Sequence, residues 1–546
     1  MNFSDEVFTN EERDILSSYV TNTESSIFVL TNLPEVIKGA LFSRYSRSTL
    51  GLRTLLLRDF IRSNDSKFSE IQLGGENIDS AKNSKLAIEN AQKFYDRILD
   101  GYGDDSIGEL GGAHLALENI SILATKTLED SRIGGSPLEK STRYVTFAEK
   151  ISGNLNTENE FRFYKDKTLL NSIHGKLYLN TCENLFETYI RFTEPIREYV
   201  RKRMPKGKNV SHSAYESSVR ASGFDIIRGL LPASTLTNMG IFGNGRFFET
   251  LISKLRTQPL DELNQIGEFA FSELSKVIPS FIRRAESSHK YFIDFQNYNN
   301  SKKEVVKNFV KKNLNFLKVN VNESVNLIDY DKDAEVKLLS ALLYPHSGLP
   351  LGHIREKVRN LSQSEKTKLI EKTIDLRVHR RHKPDRALEM AFYTFDILGD
   401  YGIYRDLQRH RMLTQERQML STNFGYYTPL EIEDVGLVND YDEAMERASN
   451  AYEIIYNDFP FEAQYVVPMS YNIRWFMHIN LRALIWMTEI RSTPQGHSGY
   501  RRIAQEMFRK VEEVHPLIAK YMKFVDLDEY SLGRLNSEQR KEKKKE

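Results

Sequence analysis

An internal duplication constrains the fold of this chain more than any other feature. The segment Pro232-Ala-Ser234 recurs as Pro468-Met-Ser470, and 468 − 232 gives an offset of 236 residues. Downstream, Asn244-Gly-Arg246 recurs as Asn480-Leu-Arg482 at the same offset of 236 residues. Two pairs of segments at one long spacing indicate two homologous domains, because solenoid repeats have much shorter periods.

The order of the shared blocks is the same in both halves, but their offset shrinks along the chain. Ser141-Thr142 and Ser421-Thr422 are 280 residues apart, so the first half carries extra residues, and we expect the polar stretch 150–167 to be an insertion. A duplication of this kind is typical of a fused homodimer, which places a shared site between the halves. We predict a first repeat at 25–290, a linker at 291–321, a second repeat at 322–525 and a charged tail at 526–546.

Composition excludes several classes of protein. The 76 Lys and Arg residues balance 75 Asp and Glu residues, so no overall positive field is available to hold nucleic acid or a membrane surface. The single cysteine, Cys182, excludes an intrachain disulfide and a cysteine-rich zinc module, and the histidines lack zinc-like spacing. The acidic N-terminus lacks a basic signal-peptide region, and no apolar run is long enough to span a bilayer. We therefore expect a cytoplasmic protein with no metal, nucleic-acid or membrane partner.

Two apolar runs have helical spacing. The run that opens at Glu109 and continues to Leu128, and the run from Leu388 to Leu398, place apolar residues three and four positions apart. This spacing predicts one buried helix in each run.

Arginine is concentrated in three places. In Arg409-His410-Arg411, successive side chains would turn by about 100° on a helix and so point into different surroundings. Arginine binds phosphate or carboxylate through a planar fork of donors, but a cluster at a helix C-terminus is also explained by the helix dipole. For Arg491 a surface ion pair is the alternative, and the basic run 377–383 fits either a phosphate contact or a solvated loop.

These motifs, in their order, resemble the flavin-dependent (alternative) thymidylate synthases. The first repeat keeps Glu139-x-Ser141-x-Arg143 and Arg228-x-x-x-Pro232, and the second keeps Arg409-His410-Arg411, Asn480-x-Arg482 and Arg491. Each repeat has lost what the other retains: Asp130-Ser131-Arg132 replaces Arg-His-Arg, and Gln464 replaces the arginine before Pro468. The resemblance implies an α+β fold of two tandem homologous domains of the thymidylate-synthase-complementing type, each rich in helix with a mixed sheet.

The resemblance also implies one composite pocket that converts deoxyuridylate (dUMP) to thymidylate (dTMP). Methylenetetrahydrofolate would supply the methylene group, reduced FAD the hydride, and NADPH the electrons that reduce the flavin. It assigns substrate binding to Glu139, Ser141, Arg143, Arg228, Arg409 and Arg491, of which Arg409 and Arg491 would be catalytic. It assigns FAD binding to His410, Arg411, Asn480, Arg482 and His497. It further implies a homodimer, in which the four domains of the two chains form a pseudo-tetramer.

One departure from the family pattern leaves the substrate open. Asp406 stands where the family has a glutamine three residues before Arg-His-Arg, which would place an anion beside the base. A methylase of a related pyrimidine nucleotide, or a nucleotide-binding protein without turnover, are therefore alternatives. A nucleic-acid-binding protein that uses the clusters 377–383 and 409–417 is a third, disfavoured by the near-zero net charge.

Overall fold

The computed structural model describes residues 7–46, 48–62, 108–148, 160–207, 210–314 and 323–530. The chain divides into two compact units that do not follow the two sequence repeats. The first unit comprises Met1–Glu118, Ser131–Glu139 and Asn238–Leu317, and the second comprises Asn119–Asp130, Lys140–Thr237 and Lys318–Glu546. The second unit therefore contains segments of both repeats. The charged tail lies outside the described residues beyond position 530, as does most of the expected insertion.

Helices dominate the described residues. Up to residue 314 the α-helices are α1 (Asn10–Ser17), α2 (Glu35–Tyr45), α3 (Leu52–Leu55), α4 (Ile122–Glu129), α5 (Lys167–Leu170), α6 (Gly175–Arg203), α7 (His212–Ile227), α8 (Gly245–Leu255), α9 (Asp261–Leu274), α10 (Pro279–Ile282) and α11 (Lys290–Asn313). From residue 323 they are α12 (Ala334–Leu343), α13 (Leu351–Arg359), α14 (Gln363–Asp375), α15 (Tyr401–Leu407), α16 (Leu430–Asp434), α17 (Val438–Asp458), α18 (Leu481–Arg491), α19 (Ser498–Val514) and α20 (Pro516–Ala519).

Shorter turns and the strands complete the list of elements. A π-helix spans Leu56–Ile61, and 3₁₀ turns span Arg228–Leu230, Arg283–Ala285, Tyr344–His346, Arg386–Met390 and Glu462–Val466. The strands are β1 (Gly112–Ser121), β2 (Gly135–Glu139), β3 (Leu236–Asn244), β4 (Val325–Tyr330), β5 (Phe392–Asp400), β6 (Leu413–Arg417) and β7 (Asn472–Asn480).

The first unit is built on a three-stranded sheet in the order β1-β3-β2, apart from the ends of β1 and β3, which belong to the second unit. Strands β2 and β3 are antiparallel, with Glu139 opposite Met239. The chain turns directly from β3 into α8, whose N-terminus is capped by the Asn244 side chain, an acceptor for Phe247 N–H at 2.8 Å. Phe248, Leu251 and Ile252 of this helix are fully buried in the core of the unit.

The second unit is built on a four-stranded sheet in the order β4-β5-β7-β6. All three strand pairs are antiparallel, so the prediction of a mixed sheet is wrong for this sheet. Strands β5 and β6 do run in the same direction, but β7 lies between them. Tyr393, Phe395 and Ile397 of β5 alternate toward the core and are 0% exposed, which is the period of two that a half-buried strand requires.

The two runs predicted to be helices from their apolar spacing are strands over half or more of their length. The run from Glu109 forms β1 and becomes helical only at α4, and the run from Leu388 forms a 3₁₀ turn followed by β5. The prediction is wrong because the apolar residues of both runs fit helical spacing and strand alternation equally. In the second run Leu388, Phe395 and Leu398 fit helical spacing, whereas the side chains that alternate into the core follow the strand.

The two repeats meet in the second unit at a local two-fold junction. Pro232 and Pro468, which are equivalent in sequence, form an isolated antiparallel bridge. Ala233 N–H donates to Val467 O at 2.9 Å, and the equivalent bond from Met469 to Leu231 measures 3.0 Å. Each hydrogen bond from the first repeat to the second is thus matched by an equivalent bond from the second to the first. This is the isologous geometry expected of a fused homodimer.

Helices α6 and α17 pack against each other next to this junction. The only cysteine, Cys182, lies on α6 with its Sγ 3.5 Å from Ser234 Oγ, and burial raises the pKa of its thiol to about 12. At the equivalent place in the second repeat, Ser470 contacts the Tyr441 hydroxyl of α17. Cys182 is therefore a packing residue. No helix of the described segments is both long and apolar enough to cross a bilayer.

Candidate functional site

Four of the predicted substrate-binding arginines gather at Asp406 in the second unit. Asp406 lies in the last turn of α15, and its Oδ2 accepts from Arg228 Nη1 at 3.1 Å. Burial alone would raise the pKa of Asp406, but the charges of Arg228, Arg143, Arg491 and Arg409 outweigh it and hold that pKa far below its usual range. Two of these arginines come from each repeat.

Arg143 is held from two sides. Its guanidinium forms a bidentate pair with Asp225 of α7, at 2.7 Å and 3.0 Å, and its Nη1 donates to the Tyr500 hydroxyl of α19 at 2.9 Å. The neighbouring Ser141 Oγ accepts from Arg143 N–H at 3.2 Å, which fixes the backbone of the Ser-x-Arg turn. Asp225 and Tyr500 were not predicted as site residues. They lie 82 and 357 residues from Arg143, and no motif links them to it.

Arg491 ends α18 and is positioned by two rings. Its Nε donates to His410 Nε2 at 3.0 Å, and its guanidinium carbon lies 5.4 Å from the centre of the Tyr500 ring. Burial, with the charge of Arg491, lowers the pKa of His410 to about 3, so this imidazole is neutral and able to accept the hydrogen bond. The guanidinium of Arg143 lies 5.3 Å from the same Tyr500 ring. Tyr500 therefore connects an arginine of each repeat.

The cluster keeps unused donors and a positive charge. Arg228 is 4% exposed, and its Nη2 has no hydrogen-bond partner among the residues that the structure describes. Arg409 is exposed and forms no ion pair within the described segments. Four guanidinium groups outnumber the carboxylates of Asp225, Asp406 and Asp400 that act on them, and His410 is neutral, so the cluster is positively charged. A positive cluster is complementary to a phosphate monoester, which carries about −1.5 to −2 at pH 7.

Most of the predicted cofactor residues already have internal partners. Asn480 caps α18 by accepting from Ala483 N–H at 2.9 Å, and Arg482 pairs with Glu389 at 2.6 Å. The first repeat has the same cap at Asn244 and the same kind of pair between Arg246 and Glu109, so this motif has a structural role in both repeats.

The remaining predicted residues have different surroundings. Arg411 is exposed. His497 caps α19 through Nδ1, 3.1 Å from Gly499 N, and burial lowers its pKa to about 3. Asn480 and Arg491 stand at opposite ends of α18, about 16.5 Å apart at 1.5 Å per residue. Glu139 is buried in β2 of the first unit.

A second, reciprocal site would use the Arg-His-Arg position of the first repeat and the Arg-before-Pro position of the second. At both positions the arginine of the family pattern is replaced by a residue with internal partners. Asp130, which stands where Arg409 does, accepts hydrogen bonds from Gln408 and Arg417. Gln464, which stands where Arg228 does, accepts from Leu420 N–H at 3.1 Å. These groups hold the chain together and offer no guanidinium to an anion.

The basic run 377–383 begins with a structural residue. Arg377 is buried and pairs with the buried Glu489 at 2.5 Å and 2.6 Å. Its Nε donates to His382 O at 2.9 Å, which closes the loop on itself. Arg377 is thus inaccessible to nucleic acid. No group of three or more potential metal ligands occurs in the described part of the chain.

With this geometry in hand, comparison with known proteins gives the family. The model for "Thymidylate synthase complementing protein" matches residues 62–280 and 326–517, which is more than half of the chain. The chain belongs to this family. The match of a thymidylate synthase complementing domain in two segments confirms the predicted α+β fold of two tandem domains, while the boundaries assigned to the repeats stay a prediction.

Relatives of this member of the thymidylate synthase complementing family fall into two groups. A UPF0159 protein of Chlamydia pneumoniae is 47% identical over 538 residues, covering 98% of this chain and 99% of its own. A flavin-dependent thymidylate synthase of Sulfurisphaera tokodaii is 28% identical over 149 residues, covering 25% of this chain and 56% of its own. Among solved structures, a UMP/dUMP methylase PolB of Streptomyces cacaoi bound with 5-Br dUMP matches with 16% identity and a TM-score of 0.28, covering 36% of this chain and 94% of its own.

Proposed function

We propose that this protein is a thymidylate-synthase-like methylase of the cytoplasm that converts dUMP to dTMP at the Asp406 cluster. Methylenetetrahydrofolate is the one-carbon donor, FAD the redox cofactor and NADPH the reductant. The observation that carries the proposal is the convergence of Arg143 and Arg228 of the first repeat with Arg409 and Arg491 of the second around one carboxylate. These are the four arginines that the family pattern assigns to the nucleotide.

The charge and shape of the cluster suit a nucleotide monophosphate. The positive charge of the cluster suits the phosphate, and the buried Nη2 of Arg228 is a donor without a partner in the described residues. A desolvated guanidinium is worth more to an anion than an exposed one, because water does not compete for its hydrogen bonds. The Ser141 turn and Arg143 complete the phosphate end of the proposed pocket.

Arg409 and Arg491 would then act on the pyrimidine ring. Neutral His410 orients Arg491 through Nε, which leaves the two terminal nitrogens of that guanidinium to face the substrate. Positive charge at the ring oxygens stabilises the negative charge that develops when the ring carbon attacks the one-carbon unit. The protein's contribution is thus positioning and electrostatics.

The donor set is compatible with a flavin dinucleotide. Arg411 and Arg482 are guanidinium groups of the kind that bind diphosphate oxygens, and Arg482 reaches its present partner Glu389 through a half-exposed ion pair that a diphosphate could displace. His410 and His497 are neutral imidazoles that can bond to ring edges. When bound, the reduced flavin supplies the hydride. We further propose a homodimer that completes this cofactor site as a pseudo-tetramer.

A reconstituted assay tests the proposal. Purified protein is incubated with dUMP, methylenetetrahydrofolate, FAD and NADPH, and dTMP is measured by chromatography. We expect turnover that is lost in Arg143→Ala and in Arg409→Ala, and kept in Arg447→Ala, an exposed arginine of α17 that pairs with Glu443 of the same helix. Absence of flavin binding after reconstitution would contradict the proposal, and so would loss of activity in only one of the two site variants.

Asp406 favours a second candidate function, methylation of a related pyrimidine nucleotide. An ionised carboxylate only accepts hydrogen bonds, whereas the glutamine of the family pattern both donates and accepts. A nucleotide whose base edge donates at this point would bind better than dUMP. Competition among dUMP, UMP and dCMP in the same assay separates the candidates, and binding without turnover of any of them indicates a protein that binds the nucleotide but has lost catalysis.

A further inference from the structure

Apart from the Asp406 cluster, a small cavity lies at the end of the four-stranded sheet in the second unit. Its volume is about 180 Å³, and its lining includes Ser324, Asp400, Ile403, Tyr427, Arg502 and Ile503. None of the residues that the family pattern assigns to nucleotide or flavin is among them. Pockets for drug-sized ligands measure about 300–1,000 Å³, so this cavity admits only a molecule of a few heavy atoms.

The acidic wall of the cavity is Asp400. This residue is 7% exposed and caps α15, where its Oδ1 accepts from Ile403 N–H at 2.8 Å. Burial raises the pKa of Asp400 to about 6, even though the charge of Arg228 opposes the shift. The charges of Arg228 and Arg502 oppose this shift without cancelling it, so a further cation in the cavity would stabilise the ionised form of Asp400.

The basic wall is Arg502, on α19. It is exposed and forms no hydrogen bond or ion pair with any residue in the described ranges. Its charge acts on Asp400 and on the Tyr427 hydroxyl, yet it does not pair with Asp400. Asp400 and Arg502 therefore line one cavity without forming an ion pair across it.

The remaining lining is mixed, with polar Ser324 and Tyr427 beside apolar side chains. Ile403 and Ile503 are 3% and 1% exposed and supply buried apolar surface to the cavity. A complementary molecule has an ammonium group, a carboxylate and a small apolar substituent. We propose that this cavity binds a small α-amino acid, with its ammonium on Asp400, its carboxylate on Arg502 and its side chain against Ile403 and Ile503.

Matched small molecules test the proposal with the full-length protein. In isothermal titration calorimetry, L-alanine is compared with propionate and ethylamine, each of which keeps one of its two charged groups. We expect saturable binding of L-alanine and at least about tenfold weaker binding of each half, because a lost charge-assisted contact is worth about 1.5–3 kcal/mol and 1.4 kcal/mol is a factor of ten. Absence of L-alanine binding at millimolar concentration would overturn the proposal, as would propionate binding as tightly as L-alanine.

Two variants test whether Asp400 binds the ammonium group of the ligand and Arg502 its carboxylate. Arg502→Gln removes the guanidinium from an exposed position, and Asp400→Asn removes the charge while retaining an oxygen to cap α15. We expect each to weaken L-alanine binding at least about tenfold, while Arg509→Gln, an exposed arginine on the same helix, binds as the parent does. Thermal melts establish that each variant is folded. Parent-like affinity in either Arg502→Gln or Asp400→Asn would contradict the assignment. A dUMP titration of the parent protein, run separately, shows whether the nucleotide site stands independently of this result.

Discussion

Replacing Arg409 by alanine should separate nucleotide binding from stability. Arg409 is exposed and unpaired within the described residues, so its removal breaks no hydrogen bond or ion pair there and loses only the smallest of the four arginine charges that act on Asp406. Exposed substitutions of this kind change the free energy of unfolding by no more than about 0.5 kcal/mol. If Arg409 donates to the nucleotide, the loss of one charge-assisted hydrogen bond costs about 1.5–3 kcal/mol of binding free energy. At 1.4 kcal/mol per factor of ten, the Kd for dUMP should rise about 10- to 100-fold.

Arg228→Ala is the contrasting variant. The Arg228 side chain is buried, with 5% of its surface exposed. Its removal leaves the buried Asp406 without the arginine that pairs with it directly. Breaking a buried pair from one side costs about 3–5 kcal/mol of stability, moderated here by the three arginines that remain near Asp406. Arg228→Ala should therefore lose both stability and dUMP binding.

Calorimetric titration with dUMP and urea denaturation, applied to both variants and to Arg447→Ala, give the needed numbers. Parent-like dUMP binding by Arg409→Ala would refute the assignment of Arg409 to the nucleotide. A loss of stability in Arg409→Ala as large as that in Arg228→Ala would refute it equally, because an unpaired exposed side chain does not produce that loss.

Four further outcomes follow from the same structure. Calorimetry should give one dUMP per chain, because Asp130 and Gln464 have replaced the arginines of the reciprocal position; two equal sites would contradict this. Tyr500→Phe removes the hydroxyl that bonds Arg143 but keeps the ring, so the Kd for dUMP should rise about three- to tenfold with little change in Tm, and an unchanged Kd would count against it. Arg377→Ala should lower the free energy of unfolding by about 3–5 kcal/mol in urea denaturation, since it leaves buried Glu489 unpaired; a loss below about 1 kcal/mol would show that this pair contributes little. The pKa of His410 and of His497 is about 3 in the folded protein against 6.5 unfolded, so stability should fall as the pH drops from about 6.5, opposed by Asp400 with its raised pKa of about 6. His410→Gln should show a shallower fall in the same pH series of denaturation curves, and an identical slope would mean that His410 does not titrate as stated.

The repeat and the family were accessible from the sequence because they rest on residue identity at a fixed offset. The two-fold junction at Pro232 and Pro468 joins the residues that defined that offset. The secondary structure of the two apolar runs was less accessible. In the run from Leu388, side chains fit both helical and strand periods, and only pairing with β7 selects the strand.

The arginines of the site could be named from the sequence, but not the groups that hold them. Asp225 of α7 precedes Arg228, the first residue after that helix, by three residues, yet it pairs with Arg143, 82 residues away. Tyr500 joins Arg143 and Arg491 only because α19 folds back onto the cluster. Such contacts are set by the packing of distant elements. For the Asn-x-Arg motifs the sequence suggested cofactor binding, whereas the asparagine caps a helix and the arginine forms an ion pair. These internal contacts could not be predicted from residue spacing alone.

A double-mutant cycle on dUMP affinity tests the composite site most directly. The Kd is measured for the parent, Arg143→Ala, Arg409→Ala and the double variant. Because the two arginines come from different repeats and act on the same carboxylate, we expect both single variants to bind weakly and their effects to be non-additive by about 0.5–3 kcal/mol. If only one of the two substitutions weakens binding, the two repeats do not share the site and the account is wrong.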